Sequence, residues 1–178
     1  REQSASDALR RPSLQLPLIM IVEYALSQLW MSWGIEPAAV SGHSMGENTA
    51  ACVAGVMSFE DCIGLVHLRG TLFDTVEKGG MLSVALPADQ LQPLLPDGCD
   101  LGAINSPMLS VASGPNAALT TLESRLKAKD IDYQRIPIDV AAHSRMLDPI
   151  LDRFRAYLTS IELHPPQIPL TSNRSGTW

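Results

Sequence analysis

Apolar residues recur at helical spacing over residues 18–33, with Val22, Leu26, Leu29, Trp30 and Trp33 on one stripe and Gly34 as a C-cap residue behind them. The pattern predicts a first helix. The apolar run 14–33 is long enough to raise a membrane span, but Gln15, Pro17, Glu23 and Gln28 interrupt it, so the reading is a buried core helix. Residues 37–41 are short and partly apolar and read as a buried strand, while the Ala-rich stretch 47–55 reads as a helix. Ser58 can cap a further helix with Asp61 in its first turn, running to about Glu77 and stopped by Gly79-Gly80. Its apolar stripe is Cys62, Leu65, Val66, Leu72, Phe73 and Val76, and its polar face carries Glu60, Gly64, His67 and Asp74.

From Met81 the texture changes. Strands are expected at 81–86, 101–104, 109–112 and 133–138, with Asn105-Ser106-Pro107 joining the middle two. Helices are expected at 88–95 and, after Gly114-Pro115, at 116–129. The order β-α-β-β-α-β is that of a ferredoxin-like unit. Ser144 then caps a helix to about Thr159, and 168–172 reads as a last strand. The expected fold is α/β: a hydrolase-like parallel-sheet core, 1–77 and 141–178, with a ferredoxin-like (βαββαβ) subdomain inserted at 78–140.

Composition narrows the function classes. The chain has 178 residues, 46% hydrophobic and 18% charged, so it is neither a disordered segment nor a coiled coil. A net charge of −6 argues against binding nucleic acid as the main task. Cys52, Cys62 and Cys99 are three in number and lack metal-ligand spacing, which predicts free thiols in a reducing, cytoplasmic setting and no metal site. No signal peptide is legible. Residues 1–13 are polar with no strand before the first helix, and the chain stops at Trp178 just past a turn-like 172–176. The expectation is a piece truncated at both ends.

Chemistry concentrates at Gly42-His43-Ser44-Met45-Gly46. A Gly-x-Ser-x-Gly between a strand and a helix holds a serine on a sharp turn with its hydroxyl exposed. The two glycines allow close backbone passage, and the following helix offers amides and a positive dipole end to an oxyanion. Ser44 needs a base to take its proton. Of the four histidines, His43 adjoins the nucleophile and would point away from it, His67 lies on a polar helix face, and His164 precedes Pro165-Pro166 in a loop. His143, at a loop-to-helix junction after Asp139-Val140-Ala141-Ala142, is the candidate. Arg69 falls inside the apolar stripe of its helix. A guanidinium there requires an anion or several acceptors, either an internal pair or a substrate carboxylate held in a bidentate clamp.

The hexapeptide 42–47 followed by Leu68-Arg69-Gly70 resembles the malonyl-CoA:acyl-carrier-protein transacylase family, most closely the acyltransferase domains of modular type I polyketide synthases. Ala50 to Gly55, Gly80-Met81, 103–107, 113–115, Ala142-His143-Ser144 and Ser172-Asn173 match as well, so the resemblance spans essentially the whole chain. It implies a Ser44 ester as intermediate, His143 as base and then acid, and Arg69 paired with the free carboxylate of a malonyl-type unit. It implies the Met45 N–H as one oxyanion donor. The second donor, a Gln upstream of the elbow in the family, and a downstream residue that orients the histidine have no counterpart in this chain. The implied substrates are an acyl-CoA donor and the phosphopantetheine thiol of an acyl carrier protein, with no bound cofactor. The implied partners are that carrier and neighbouring synthase domains, with no nucleic acid and no membrane.

The extender unit is read from Val140, Ala142 and Asn105. Val140-Ala141-Ala142-His143 matches neither the His-Ala-Phe-His of malonyl-specific relatives nor the Tyr-Ala-Ser-His of methylmalonyl-specific ones. Ala142 leaves room for an α-methyl group, whereas Met45 resembles the malonyl type. The balance leans to malonyl. The competing class is a serine hydrolase or thioesterase of α/β-hydrolase type, which needs an acid between Ser44 and His143. Asp132 and Asp139 are the residues available.

Overall fold

The computed structural model describes residues 8–178, which divide into two compact units. The described part of the first runs to Asp74 and resumes at Asp152, and the second is Thr75–Leu151.

In the first unit, α1 (Pro12–Ser32) opens with a proline, whose fixed φ and missing N–H suit the first helical position. It closes on Gly34 at φ +84°, with Gly34 N–H on Met31 O and Ile35 N–H on Trp30 O, the paired bonds of a Schellman motif. α2 spans Gly46–Val53 and α3 Phe59–Phe73. The Ser58 hydroxyl caps α3 by accepting from the Asp61 N–H at 3.0 Å. The expected continuation of α3 to Glu77 is corrected: it ends at Phe73, and Gly79-Gly80 open a strand where a helix stop was expected. α1 lies along α3, close enough that a Cβ on Gly70 would overlap the Pro12 carbonyl.

The core of this unit gathers Met20, Met45, Ala51, Cys52, Cys62, Leu65 and Val66, with Tyr24, Phe59, Phe154 and Tyr157 against it. The reading of α1 as a buried core helix is corrected here. Leu16, Met20 and Tyr24 face the core, and Met20 is the one fully buried residue of the helix. The stripe Val22, Leu26, Leu29, Trp30 and Trp33 lies exposed. By length and composition alone, Pro12–Ser32 is also apolar enough to cross a membrane.

The strands expected at 37–41 and 168–172 reduce to one parallel bridge, Val40 to Leu170. Val40 N–H donates to Pro169 O at 2.8 Å, and Thr171 N–H to Val40 O at 3.2 Å. Pro37 and Pro169 carry no N–H, which shortens the ladder on both sides.

The second unit is a four-stranded antiparallel sheet of order β2-β3-β1-β4, built from β1 (Gly79–Val84), β2 (Asp100–Ser106), β3 (Leu109–Pro115) and β4 (Tyr133–Ile136). α4 (Ala88–Leu91) passes into a 3-10 turn at Gln92–Leu94, where Pro93 ends the α-helical bonding. α5 (Asn116–Lys127) lays Leu119, Leu122 and Leu126 against Leu82, Val84 and Ala112, all fully buried. β4 stops before Pro137, two residues short of the strand expected. After Ser144 comes a 3-10 turn, Arg145–Ile150, holding Pro149, and then α6, Leu151–Ser160.

The division between units departs from the expected boundaries. Residues 75–77 and 141–151, assigned by sequence to the core, belong to the second unit. The reason is local bonding: Ser113 Oγ donates to Ala142 O at 2.6 Å inside the unit, and Asp100 on β2 holds Arg145.

Candidate active site

Ser44 has a left-handed backbone, φ 54°, one of three non-glycine residues with positive φ among those described. That conformation turns the chain sharply from Val40 into α2, which begins two residues later. The closeness of the turn falls on one glycine. A Cβ on Gly42 would overlap the backbone of Gly46 and Glu47, whereas a Cβ on Gly46 would meet only Glu23 Oε1 at 3.9 Å. The expectation that both glycines serve close passage is therefore corrected at Gly46.

Hydrogen bonds hold the turn. Gly46 N–H donates to His43 O at 3.0 Å and Glu47 N–H to Ser44 O at 3.1 Å. Ser44 N–H donates to Asn173 Oδ1 at 2.8 Å, Asn173 Nδ2 donates to Gly42 O at 2.6 Å, and Asn173 N–H donates to Glu47 Oε1 at 2.8 Å. The Met45 side chain is buried in the core. Its N–H, the sequence-predicted oxyanion donor, makes no hydrogen bond among the described residues.

Arg69 reaches this turn from α3. Nη2 donates to Ser44 Oγ at 3.2 Å and Nη1 to Asn48 Oδ1 at 3.2 Å, with the guanidinium 5.4 Å from the Phe73 ring centroid. Both acceptors are neutral. Burial pulls the Arg69 pKa down from its ordinary value, and the Glu47 carboxylate pushes it back up. An arginine is not deprotonated in proteins, so the group remains a cation. Beneath the site, Cys62 Sγ donates to Asn48 O at 3.2 Å, and hydrogen bonding with Cys52, followed by burial, raises the Cys62 thiol pKa.

The other predicted residues lie in the second unit. His143 has φ 60° and an exposed side chain, and it follows the buried run Val140, Ala141 and Ala142. Its neighbours are anchored on both sides: Ala142 O accepts from Ser113, Ser144 Oγ donates to Ala141 O at 2.7 Å, and Arg145 pairs with Asp100 at 2.5 Å. Asn105 is exposed at an irregularity of the β2–β3 pairing. Asp139 pairs with Lys78 at 3.8 Å. Among the described residues no three His, Cys, Asp or Glu side chains group as metal ligands.

Residues 4–177 match the family model described as an acyl transferase domain. The chain belongs to that family. This acyl transferase chain is 36% identical over 170 residues to a phenolphthiocerol/phthiocerol polyketide synthase of Mycobacterium tuberculosis, matching 96% of the chain and 11% of that synthase. It is 37% identical to polyketide synthase GfsE of Streptomyces halstedii, covering the whole chain and 5% of that protein. Among solved structures, the acyltransferase domain from the second module of the salinomycin polyketide synthase superposes with a TM-score of 0.92 at 35% identity, over 96% of this chain and 41% of that one. The malonyl CoA-acyl carrier protein transacylase of Coxiella burnetii shares the fold, with a TM-score of 0.86 at 24% identity over 93% of this chain and 56% of that one. The acyl transferase chain thus spans under half of the salinomycin domain and a small part of the synthases it matches.

Sequence reasoning gave no role to Asn48 or Asn173, although both bond directly to the acyl transferase elbow or its arginine. A signal for Asn173 was available. It directly follows the segment 168–172, which pairs in parallel with the segment leading into the elbow. Parallel strands bring their C-terminal ends to the same side, where α/β sites form. Asn48 sits in the first turn of α2, where its amide accepts from Arg69 on α3.

Proposed function

We propose that this chain carries the nucleophile half of an acyltransferase site, which moves a malonyl-type unit from coenzyme A through a Ser44 ester to the phosphopantetheine thiol of an acyl carrier protein. The setting is polyketide or fatty acid synthesis in the cytoplasm, beside neighbouring synthase domains. One observation carries the reading: a partly buried guanidinium, Arg69, sits 3.2 Å from the hydroxyl of a serine held on a strained turn. A carboxylate two bonds from the reacting carbonyl would meet that guanidinium while the carbonyl meets Ser44, and a bidentate pairing would displace the weaker neutral acceptors.

In this mechanism Ser44 Oγ attacks the thioester carbonyl as its proton passes to His143. The new C–O bond forms, the tetrahedral oxyanion accepts a hydrogen bond from the Met45 N–H, and the C–S bond then breaks. The departing coenzyme A sulfur takes the proton from His143. A carrier thiol reverses the sequence, restoring the Ser44 hydroxyl. His143 holds its role by family resemblance, and its support here is the fixed backbone around it. A Ser-His dyad without a carboxylate is the form proposed.

The sheet order β2-β3-β1-β4 supports the ferredoxin-like assignment of the second unit, and the parallel Val40–Leu170 bridge supports a hydrolase-like core for the first. Val140, Ala142 and Asn105 are assigned to extender choice. A pocket that differs by one methyl discriminates only about 10–200-fold. Malonyl is the unit proposed, with methylmalonyl as a secondary one.

Arg69→Ala tests this directly in a protein carrying the chain. Losing a charged partner of a desolvated carboxylate costs about 2–5 kcal/mol, so malonyl transfer is expected to fall at least about thirtyfold while acetyl transfer holds or improves. Equal losses for malonyl and acetyl would make Arg69 a structural group and remove the basis for this reading.

A further inference from the structure

The elbow serine is left-handed without being glycine or asparagine, so something outside the turn must hold it there. The primary amide of Asn173 is placed to do so. Its oxygen accepts the Ser44 N–H at 2.8 Å and its nitrogen donates to Gly42 O at 2.6 Å. One planar group thereby ties the residues on either side of His43. The amide is itself aimed: Asn173 N–H donates to Glu47 Oε1 at 2.8 Å, in the first turn of α2. One residue behind it, the chain closes into a small loop, with Ser172 N–H on Thr177 O and Gly176 N–H on Ser172 O, both at 2.8 Å.

We propose that Asn173 is a positioning residue for the acyl transfer. It clamps the elbow so that the Ser44 hydroxyl stays presented, and it occupies the Ser44 N–H so that the oxyanion falls to the amide of Met45. The proposal rests on the reading that Ser44 takes the acyl group. The chemistry demands an asparagine. Aspartate would keep the acceptor for Ser44 but turn a carboxylate oxygen toward the Gly42 carbonyl. Alanine would leave both backbone groups without the side chain that spans them, and glutamine would push the amide one methylene too far. Glu47 acts a step further back, by orienting the backbone that carries the amide.

The test compares Asn173→Ala, Asn173→Asp and Glu47→Gln with the parent, in a protein carrying this chain. Two readouts are needed: single-turnover acylation over a range of malonyl-CoA concentrations, and amide hydrogen exchange at Ser44. Misplacing a reacting atom by about an ångström costs about tenfold to hundredfold in rate. A fall of that size is expected for the alanine and aspartate variants, with half-saturation changed less than about twofold, and a smaller fall is expected for Glu47→Gln. Exchange at the Ser44 amide should accelerate in Asn173→Ala while amides of α1 and of the second unit keep parental rates. Parental acylation in both Asn173 variants would overturn the proposal. So would a loss expressed mainly in half-saturation, or exchange that accelerates throughout the first unit. If the alanine variant does not fold, the isosteric aspartate variant decides. If the parent itself is not acylated at Ser44, the proposed function fails, and the exchange readout alone then decides whether Asn173 holds the elbow.

Discussion

Each unit has an apolar core, but the apolar stripes of α5 and α1 meet different fates. In the second, the leucines at helical spacing on α5 meet the alternating strand residues Leu82, Val84 and Ala112, and all are fully buried. Pattern and packing coincide there. In the first unit, α1 buries Met20 and leaves Leu26, Leu29, Trp30 and Trp33 exposed, while polar contacts gather around Ser44. The contrast teaches that stability and chemistry are carried by different residues here. The second unit is built as a packed scaffold. The first packs its own core and carries a turn that closes tightly at Gly42 and is met by the Asn173 amide and the Arg69 guanidinium.

The comparison breaks most sharply at Gly42. Gly42→Ala would force a Cβ into the backbone of Gly46 and Glu47, so the turn cannot close, and acylation of Ser44 is expected to drop at least about hundredfold. Gly46→Ala, whose Cβ would make only an ordinary contact with Glu23 Oε1, is expected to keep acylation within about threefold of the parent, because Gly-to-Ala changes at compatible backbone shift stability by under about 1 kcal/mol. Single-turnover acylation of the two variants separates them, and similar losses in both would reassign the turn to general glycine flexibility.

Packing provides the next contrast. Leu122→Ala removes a fully buried side chain and is expected to destabilise the second unit by about 2–5 kcal/mol. Leu26→Ala, half exposed on α1, should stay within about 0.5 kcal/mol. Denaturant unfolding of both variants checks this, and a large cost at Leu26 would show that the α1 stripe is covered in solution.

These two predictions mark what was legible in the sequence. The α5 face was readable because helical spacing and burial agree, and the Ser58 cap and the Gly34 stop because each motif is closed by its own neighbours. The face of α1 was misread because the longest apolar stripe does not face α3. Gly79-Gly80 looked like a helix stop, yet a Cβ at Gly79 would come within 2.7 Å of Ala141 Cβ and of Gly114 O, a tertiary reason for glycine that local pattern does not carry. The position of Arg69 on an apolar face was legible, but its two neutral partners were not, since Asn48 and Ser44 come from another helix and a turn. Asn173 was legible as part of the family match, but its role was not, because its partners are far away in the chain.

The smallest expected effect concerns the segment that carries His143. Arg145 holds the Asp100 carboxyl below its ordinary pKa through side-chain hydrogen bonds, with burial opposing. A depressed acid contributes its stability above the unfolded value of about 4 and loses it as pH falls through the native one. Because Arg145 is largely exposed, solvent screening keeps the contribution of the pair small. Asp100→Asn is therefore expected to lower the stability of the second unit slightly at neutral pH and to flatten its decline below about pH 4. A variant that instead declines as steeply as the parent would place the acid sensitivity elsewhere.

The most direct measurement is peptide mapping by mass spectrometry after incubation with malonyl-CoA, on a protein carrying this chain. One malonyl group is expected as an ester on the peptide containing Ser44, absent in Ser44→Ala and released by a carrier thiol. Label that persists in Ser44→Ala, or an ester at Ser44 that passes to water and never to a thiol, would contradict the assignment of this chain as the nucleophile half of an acyltransferase.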